Sequence, residues 1–210
     1  MDRRQSFFPK KPFSGFAASA LIAIVCVVSS GCNLQSNRLN VVGREAFERG
    51  QYTVAINEFQ KALKANPNNA DAYYNLAASF GMVGKQTKNK QWLDQAEQLY
   101  RQAISVNGGH ADAHRGLAGL LIETGREQYA FDLLNQWKDR YPASTDPLVE
   151  LARLYQEYGD SNRATDLLAD ALRLNPGDFR SLTAMGHLRE VNGQTHLAID
   201  NYLRALQVDG

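Results

Sequence analysis

The sequence predicts an all-α protein, an α-solenoid of about five helix-turn-helix units stacked side by side. Two observations carry this. Prolines recur at a fixed interval: 34 residues separate Pro142 from Pro176, and Pro67 lies 75 residues before Pro142, two such intervals plus seven. Between the breaks, apolar residues recur every three or four positions, the period of a helix buried on one face.

Residues 1–31 come first and differ from the rest. Residues 3–11 are basic, and FAASALIAIVCVV (16–28) is apolar and uncharged. Ser29, Ser30 and Gly31 are small, and Cys32 follows. A positive region, a short apolar run and a small-residue zone form the layout of an export signal. The run is shorter than the ~20 residues that span a bilayer comfortably. SSGC resembles the lipobox of bacterial lipoproteins, except that Ser29 stands where that family usually has Leu. The resemblance implies cleavage after residue 31 and lipid attachment at Cys32. An uncleaved membrane anchor and an ordinary cleaved signal with an incidental cysteine remain open. Asn33, rather than Asp, after the cysteine implies the outer membrane by analogy with enteric bacteria, on its periplasmic face. Residues 32–37 are read as the lipidated terminus and a short tether, and 38–210 as the repeat domain. Five extended residues reach less than ~20 Å, so the body is expected close to the membrane.

Five units follow, at about 36–69, 70–110, 111–144, 145–178 and 179–210. First helices are marked by YYNLAASF (73–80), HRGLAGLL (114–121), LVELARLY (148–155) and LTAMGHLR (182–189). Second helices are marked by TVAINEFQKAL (53–63), QAEQLYRQAI (95–104), ATDLLADAL (164–172) and HLAIDNYLRAL (196–206). Gly50, Gly84, Gly125, Gly159 and Gly193 are placed to turn between them, because glycine admits the left-handed backbone that ends a helix. One hairpin cannot bury its apolar face alone, whereas stacked hairpins share a core.

This grammar is similar to that of the tetratricopeptide repeat family. The match covers about 175 of the 210 residues. Gly43, Ala55, Phe59, Ala62 and Pro67 fit the family pattern in the first unit. Leu76, Ala77, Phe80, Ala96, Tyr100 and Ala103 fit it in the second. Leu117, Ala118, Ala130 and Pro142 do so in the third, Leu151, Ala152, Ala164, Ala171 and Pro176 in the fourth, and Gly186, Ala198, Tyr202 and Ala205 in the fifth. The small residues Gly43, Ala77, Ala118, Ala152 and Gly186 are expected to let paired helices approach closely. Trp137 replaces the usual small residue. Local repacking is expected there, with Gly116 and Gly119 leaving room.

Two irregularities stand out. The second unit carries seven extra residues within GKQTKNKQWLDQ (84–95), either one added turn per helix or a projecting loop. Lys85, Lys88 and Lys90, with Trp92 and Leu93, make this either a solvated hairpin tip or a contact surface. On the last helix, Ile199, Leu203 and Leu206 form a face with no later unit to cover it. A homo-oligomer joined through the C-terminal repeat is therefore one expectation.

Composition excludes several functions. One of the 22 acidic and four of the 23 basic residues fall in 1–31, which leaves a net charge of −2 on the rest. A near-neutral body carries no footprint for nucleic acid. Both cysteines, Cys26 and Cys32, lie in or beside the leader, so no thiolate metal site or disulfide framework is expected in the body. GMVGKQT (81–87) lacks the spacing of a phosphate loop. His110 and His114 are read as solvated, with no third ligand. No enzyme activity, metal or cofactor is expected. The resemblance implies a binding groove along the first helices, with Asn40, Arg44, Tyr74, Asn75, Arg115, Arg153 and His187 as its candidates. Arg44, Asn75 and Arg115 fall on successive units and are placed to pair with a partner's carboxylate. The expected function is a membrane-anchored protein–protein adaptor or scaffold in the bacterial envelope. The alternative is a self-associating structural component of an envelope or secretion/pilus assembly complex without a peptide client.

Overall fold

The computed structural model describes residues 33–209. Cys26, Ser29 and Cys32, with the rest of the leader, lie outside the described residues. Among the described residues, ten helices follow one another: α1 (33–48), α2 (Tyr52–Ala65), α3 (Ala70–Thr87), α4 (Lys90–Val106), α5 (Ala111–Glu123), α6 (Glu127–Arg140), α7 (Asp146–Glu157), α8 (Ser161–Leu174), α9 (Phe179–Val191) and α10 (Thr195–Asp209). No strand occurs among them. The all-α solenoid of five hairpins is therefore observed.

Helix boundaries follow from local chemistry. Asn69, His110, Asp160 and Asp178 each accept a hydrogen bond from the backbone N–H three residues on, capping α3, α5, α8 and α9. Asn89 caps α4 from two residues before Gln91. Gly50, Gly125, Gly159 and Gly193 turn within four hairpins at φ between 71° and 79°.

Two boundaries depart from the sequence reading. Residues 33–37, read from the sequence as a tether, are helix and belong to the folded body. Ser36 is buried there, donates to the Ala62 carbonyl at 2.8 Å and accepts from Asn69 at 2.9 Å, which docks the start of α1 on α2 and α3. Gly84 is not a turn. It lies buried inside α3, where an added Cβ would come within 2.7 Å of Leu93. The chain turns instead at Lys88, at φ 51°. The seven extra residues are thus added helix: α3 has 18 residues and α4 has 17, against 13 and 14 in the next hairpin. Phe80 stacks on Trp92 at 5.1 Å within this longer hairpin. Lys85 pairs with Glu123 and Lys90 with Asp94.

The core is a stripe of alanines facing larger side chains. Ala55, Ala62, Ala96, Ala103, Ala130, Ala164 and Ala171 have no accessible surface. Close approach is strict where glycine takes the small position. A Cβ on Gly43 would lie 2.5 Å from the Phe59 ring, and one on Gly186 2.7 Å from Tyr202.

Trp137 is fully buried, but not in space left by Gly116 and Gly119. Gly116 accommodates the Tyr100 ring, and nothing lies within 4 Å of a Cβ on Gly119. The indole instead stacks on His114, with centroids 4.2 Å apart and planes 3° from parallel. Tyr141 closes over Gly108 beside it.

The order of contacts sets the curvature. Among α2–α10, the backbones of the first helices come close in succession, α3 to α5, α5 to α7 and α7 to α9, while the backbones of the second helices stay farther apart. A strip whose one row is drawn together bends toward that row. The inner, concave side is therefore lined by the first helices.

Candidate functional site: the inner row of helices

The seven groove candidates fall into three groups along this inner row. Asn40, Arg44, Tyr74 and Asn75 gather at repeats 1 and 2. Asn75 donates to Asn40 at 3.0 Å. Tyr74 is half-buried between Tyr100 and His110, at 6.0 and 5.4 Å between centroids. Burial, then the charge of Asp112, pushes its hydroxyl pKa up against the opposing charges of Arg115 and Arg44. Arg44 itself is exposed.

Arg115 and Arg153 belong to the second group, at repeats 3 and 4, with a residue that the sequence reading missed. Glu150 on α7 is 5% exposed. It accepts from Arg115 Nε of α5 at 2.8 Å and from the Arg180 guanidinium of α9. Arg153 Nη1 stands 3.7 Å away, and its side chain is 60% exposed. Asp112 pairs with Arg115 at 3.0 Å, and Asp146 pairs with Arg180. Burial alone pulls the Arg115 pKa down. The hydrogen bond and charge of Glu150 outweigh that, with Asp112 and Tyr74 adding to it, and the net direction is upward. So Arg115 and Asn75 are already engaged within the chain, and Arg44, Asn75 and Arg115 do not form one open trio.

His187 belongs to the third group. It is exposed and lies 3.2 Å from the Gln156 amide. Both border an open cleft of about 690 Å³ between α7 and α9, lined also by Val149, Arg153, Phe179, Arg180, Thr183 and Val191. Phe179 and Val191 are 42% and 63% exposed.

His110 and His114 are not solvated; they are 8% and 4% exposed. His110 caps α5 through Nδ1 and places Nε2 3.1 Å from Asp71. His114 Nε2 lies 3.1 Å from the Gly108 carbonyl. Burial depresses the His114 pKa below its ordinary value, the Gly108 bond opposes this, and nearby His110 adds to the depression. Among the described residues, no three His, Cys, Asp or Glu side chains converge as metal ligands, and no helix is long and apolar enough to cross a membrane.

The missed partners carry a readable signal. Arg115 and Glu150 are 35 residues apart, Asn40 and Asn75 are 35, Glu150 and Arg180 are 30, and Gln156 and His187 are 31. Each spacing is close to one repeat, because stacking places equivalent turns of successive first helices side by side. Opposite charges one repeat apart thus mark pairs across the seam.

Comparison with known proteins agrees with this geometry. Residues 43–84 match a family model described as TPR repeat, and residues 93–145 match one described as tetratricopeptide repeat. Residues 43–84 and 93–145 thus carry tetratricopeptide repeats. Its solenoid superposes on a thermophilic TPR protein of Thermus thermophilus with a TM-score of 0.61 at 19% identity, covering 82% of this chain and 90% of that one. It superposes on PilF of Pseudomonas aeruginosa with a TM-score of 0.57 at 22% identity, covering 86% and 79%. Among sequence relatives, the TPR repeat-containing protein MJ1428 of Methanocaldococcus jannaschii is 24% identical over 172 residues, 77% of this chain and 29% of its own length. A DnaJ homolog subfamily C member 7 homolog of Schizosaccharomyces pombe is 22% identical, over 83% of this chain and 39% of its own. The chain thus spans well under half the length of these two relatives.

Proposed function

We propose that the protein is an adaptor that holds a segment of another protein along its inner row of helices, without chemistry of its own. The observation that carries this is the α7–α9 cleft. Half-exposed Phe179 and Val191 stand there beside Arg153, His187 and Gln156, so an apolar floor meets hydrogen-bonding side chains on a rigid scaffold. Photo-crosslinkers placed at Phe179 and His187, and at Tyr129 on the outer row as a control, test the reading in cells. Discrete adducts are expected from the inner positions and not from Tyr129. Adducts at Tyr129 alone would overturn it.

The adaptor is placed in the bacterial envelope, carried by a lipid on Cys32. Support comes from the layout of residues 1–32, and because residues 33–37 are already helix, the residue next to Cys32 belongs to the folded body. Several acyl chains would make attachment lasting, since one alone is marginal. Mass spectrometry of the N-terminal peptide should find acyl groups on Cys32, and Cys32→Ser should release the protein from the membrane fraction. An unmodified Cys32 in the mature chain would end the lipid reading.

A second reading, a self-associating structural component, rests on α10. Ile199, Leu203 and Leu206 are 49%, 54% and 67% exposed there. Sedimentation should then show an oligomer that Leu203→Glu converts to a monomer. A wild-type monomer at high concentration would refute it.

A further inference from the structure

Glu150 is a carboxylate 5% exposed at the middle of the inner row, and it faces three guanidinium groups from three successive first helices. Arg115 comes from α5, Arg153 from α7 and Arg180 from α9. None of the three is deeply buried: their side chains are 39%, 60% and 33% exposed. The arginines thus reach solvent on the groove side while the acid they share does not. Arg and carboxylate form short, directional, charge-assisted hydrogen bonds. A buried carboxylate without such partners would be costly, and here the partners are in place. This is the geometry of an anion site whose anion is covalently part of the chain.

We propose that Glu150 is the built-in occupant of the groove's anion position and so determines specificity: it excludes a partner carboxylate from repeats 3 to 5. Asp112 and Asp146 complete the neutralisation from outside, so three acids balance three bases. A partner segment crossing α5, α7 and α9 therefore presents neutral, hydrogen-bonding or apolar groups at this point, and not an acidic side chain or a free chain terminus. That consequence for the partner rests on the adaptor reading above. The occupancy itself does not.

The test is chemical rescue. Glu150→Ala vacates the position and leaves the arginines facing one another. Its thermal midpoint is expected to fall below that of the wild type. Acetate exchanged for chloride at constant ionic strength should raise the midpoint of Glu150→Ala by several degrees, because a ligand that binds only the folded chain stabilises it. N-acetylglycine, which ends like a peptide, should do the same. The wild type should not move with either. Adding Arg115→Ala to Glu150→Ala should weaken acetate binding about tenfold, the loss of a charge-assisted contact. A wild type that responds to acetate as strongly as the variant would overturn the inference, and so would a folded Glu150→Ala that ignores it.

A measurement on the wild type guards against a variant that fails to fold. The Arg115 Nε–Hε resonance should stay fixed as acetate is added. A saturable shift would mean that the position is open and the inference wrong. No partner enters these readouts, so failed crosslinking at Phe179 sinks the adaptor reading and leaves them intact, while their failure leaves the crosslinking result intact.

Discussion

Replacing Trp137 by alanine separates repeat averages from the packing of this chain. The other four hairpins have alanine at this position: Ala62, Ala103, Ala171 and Ala205. By that average, Trp137→Ala restores the pattern and stabilises. The structure leads to the opposite sign. The indole is 2% exposed, and its neighbours are built around it. His114 stacks face to face on it at 4.2 Å, and Gly108 makes room for Tyr141 at its edge. Truncating a buried tryptophan costs ~3–5 kcal/mol, from lost transfer energy and the cavity left behind. An open cleft bordered by Arg101, Gln136 and Arg140 adjoins the ring, so water enters the vacated space and the lower end, about 3 kcal/mol, is expected. Urea unfolding followed by circular dichroism measures it, with Trp92 as the remaining fluorophore. Trp137→Phe keeps an aromatic face for His114 and should lose much less. A gain in stability, or a loss below about 1 kcal/mol, would refute the claim that this seam is packed around the indole.

Asn69→Ala removes the α3 cap and the Ser36 contact together, which should cost about 2 kcal/mol in the same urea titration. Two glycines on first helices should respond with opposite signs: Gly186→Ala drives a Cβ into Tyr202 and loses about 1–3 kcal/mol, while Gly119→Ala meets nothing and gains about 1 kcal/mol in helix propensity. Because the folded His114 pKa lies below its ordinary 6.5, the unfolded chain takes up that proton first as pH falls. The contribution is therefore full above about pH 6.5 and is lost as pH falls through the folded pKa. His114→Leu, which copies Leu148 and Leu182 of the next two hairpins, should flatten the decline of stability from neutral to mildly acid pH. An unchanged slope would assign the decline to other groups.

The hairpins were legible in the sequence because burial imposes a period. Ala55, Ala96, Ala130, Ala164 and Ala198 recur at one place in successive second helices, and a larger residue there would separate the helices. The boundaries were less legible where one residue type serves two ends. Gly84 reads as a turn because glycine ends the first helix of every other hairpin. In the lengthened hairpin the same smallness admits Leu93 against the helix interior, and the turn falls to Lys88. The helicity of residues 33–37 was hidden for a different reason. Ser36 and Asn37 are weak helix formers, and tertiary hydrogen bonds from Ser36 to Ala62 and from Asn69 to Ser36 override that propensity.

The inner row is harder to read than the core because solvent-facing positions have no single required residue type. Each candidate can be named from its place on a first helix, but its state depends on the residue one repeat away. Arg115 reads as a free cation until Glu150, 35 residues on, is set beside it, and Arg153 then differs from Arg115 only in how loosely it holds the same acid. Glu150 in turn reads as an ordinary helix-face acid. Yet it is buried, and Arg115 of α5 and Arg180 of α9 both donate to it. A groove of this kind is written in pairs at the repeat spacing, and the side chains held most loosely in that pairing are the ones most available for hydrogen bonds to a partner. By that reasoning Arg153, held only at 3.7 Å and beside the α7–α9 cleft, contributes more to partner binding than Arg115 does. Single substitution to alanine at each position, scored by crosslinking yield at Phe179, should rank them in that order, and the reverse ranking would show that a partner breaks the Arg115–Glu150 pair to bind.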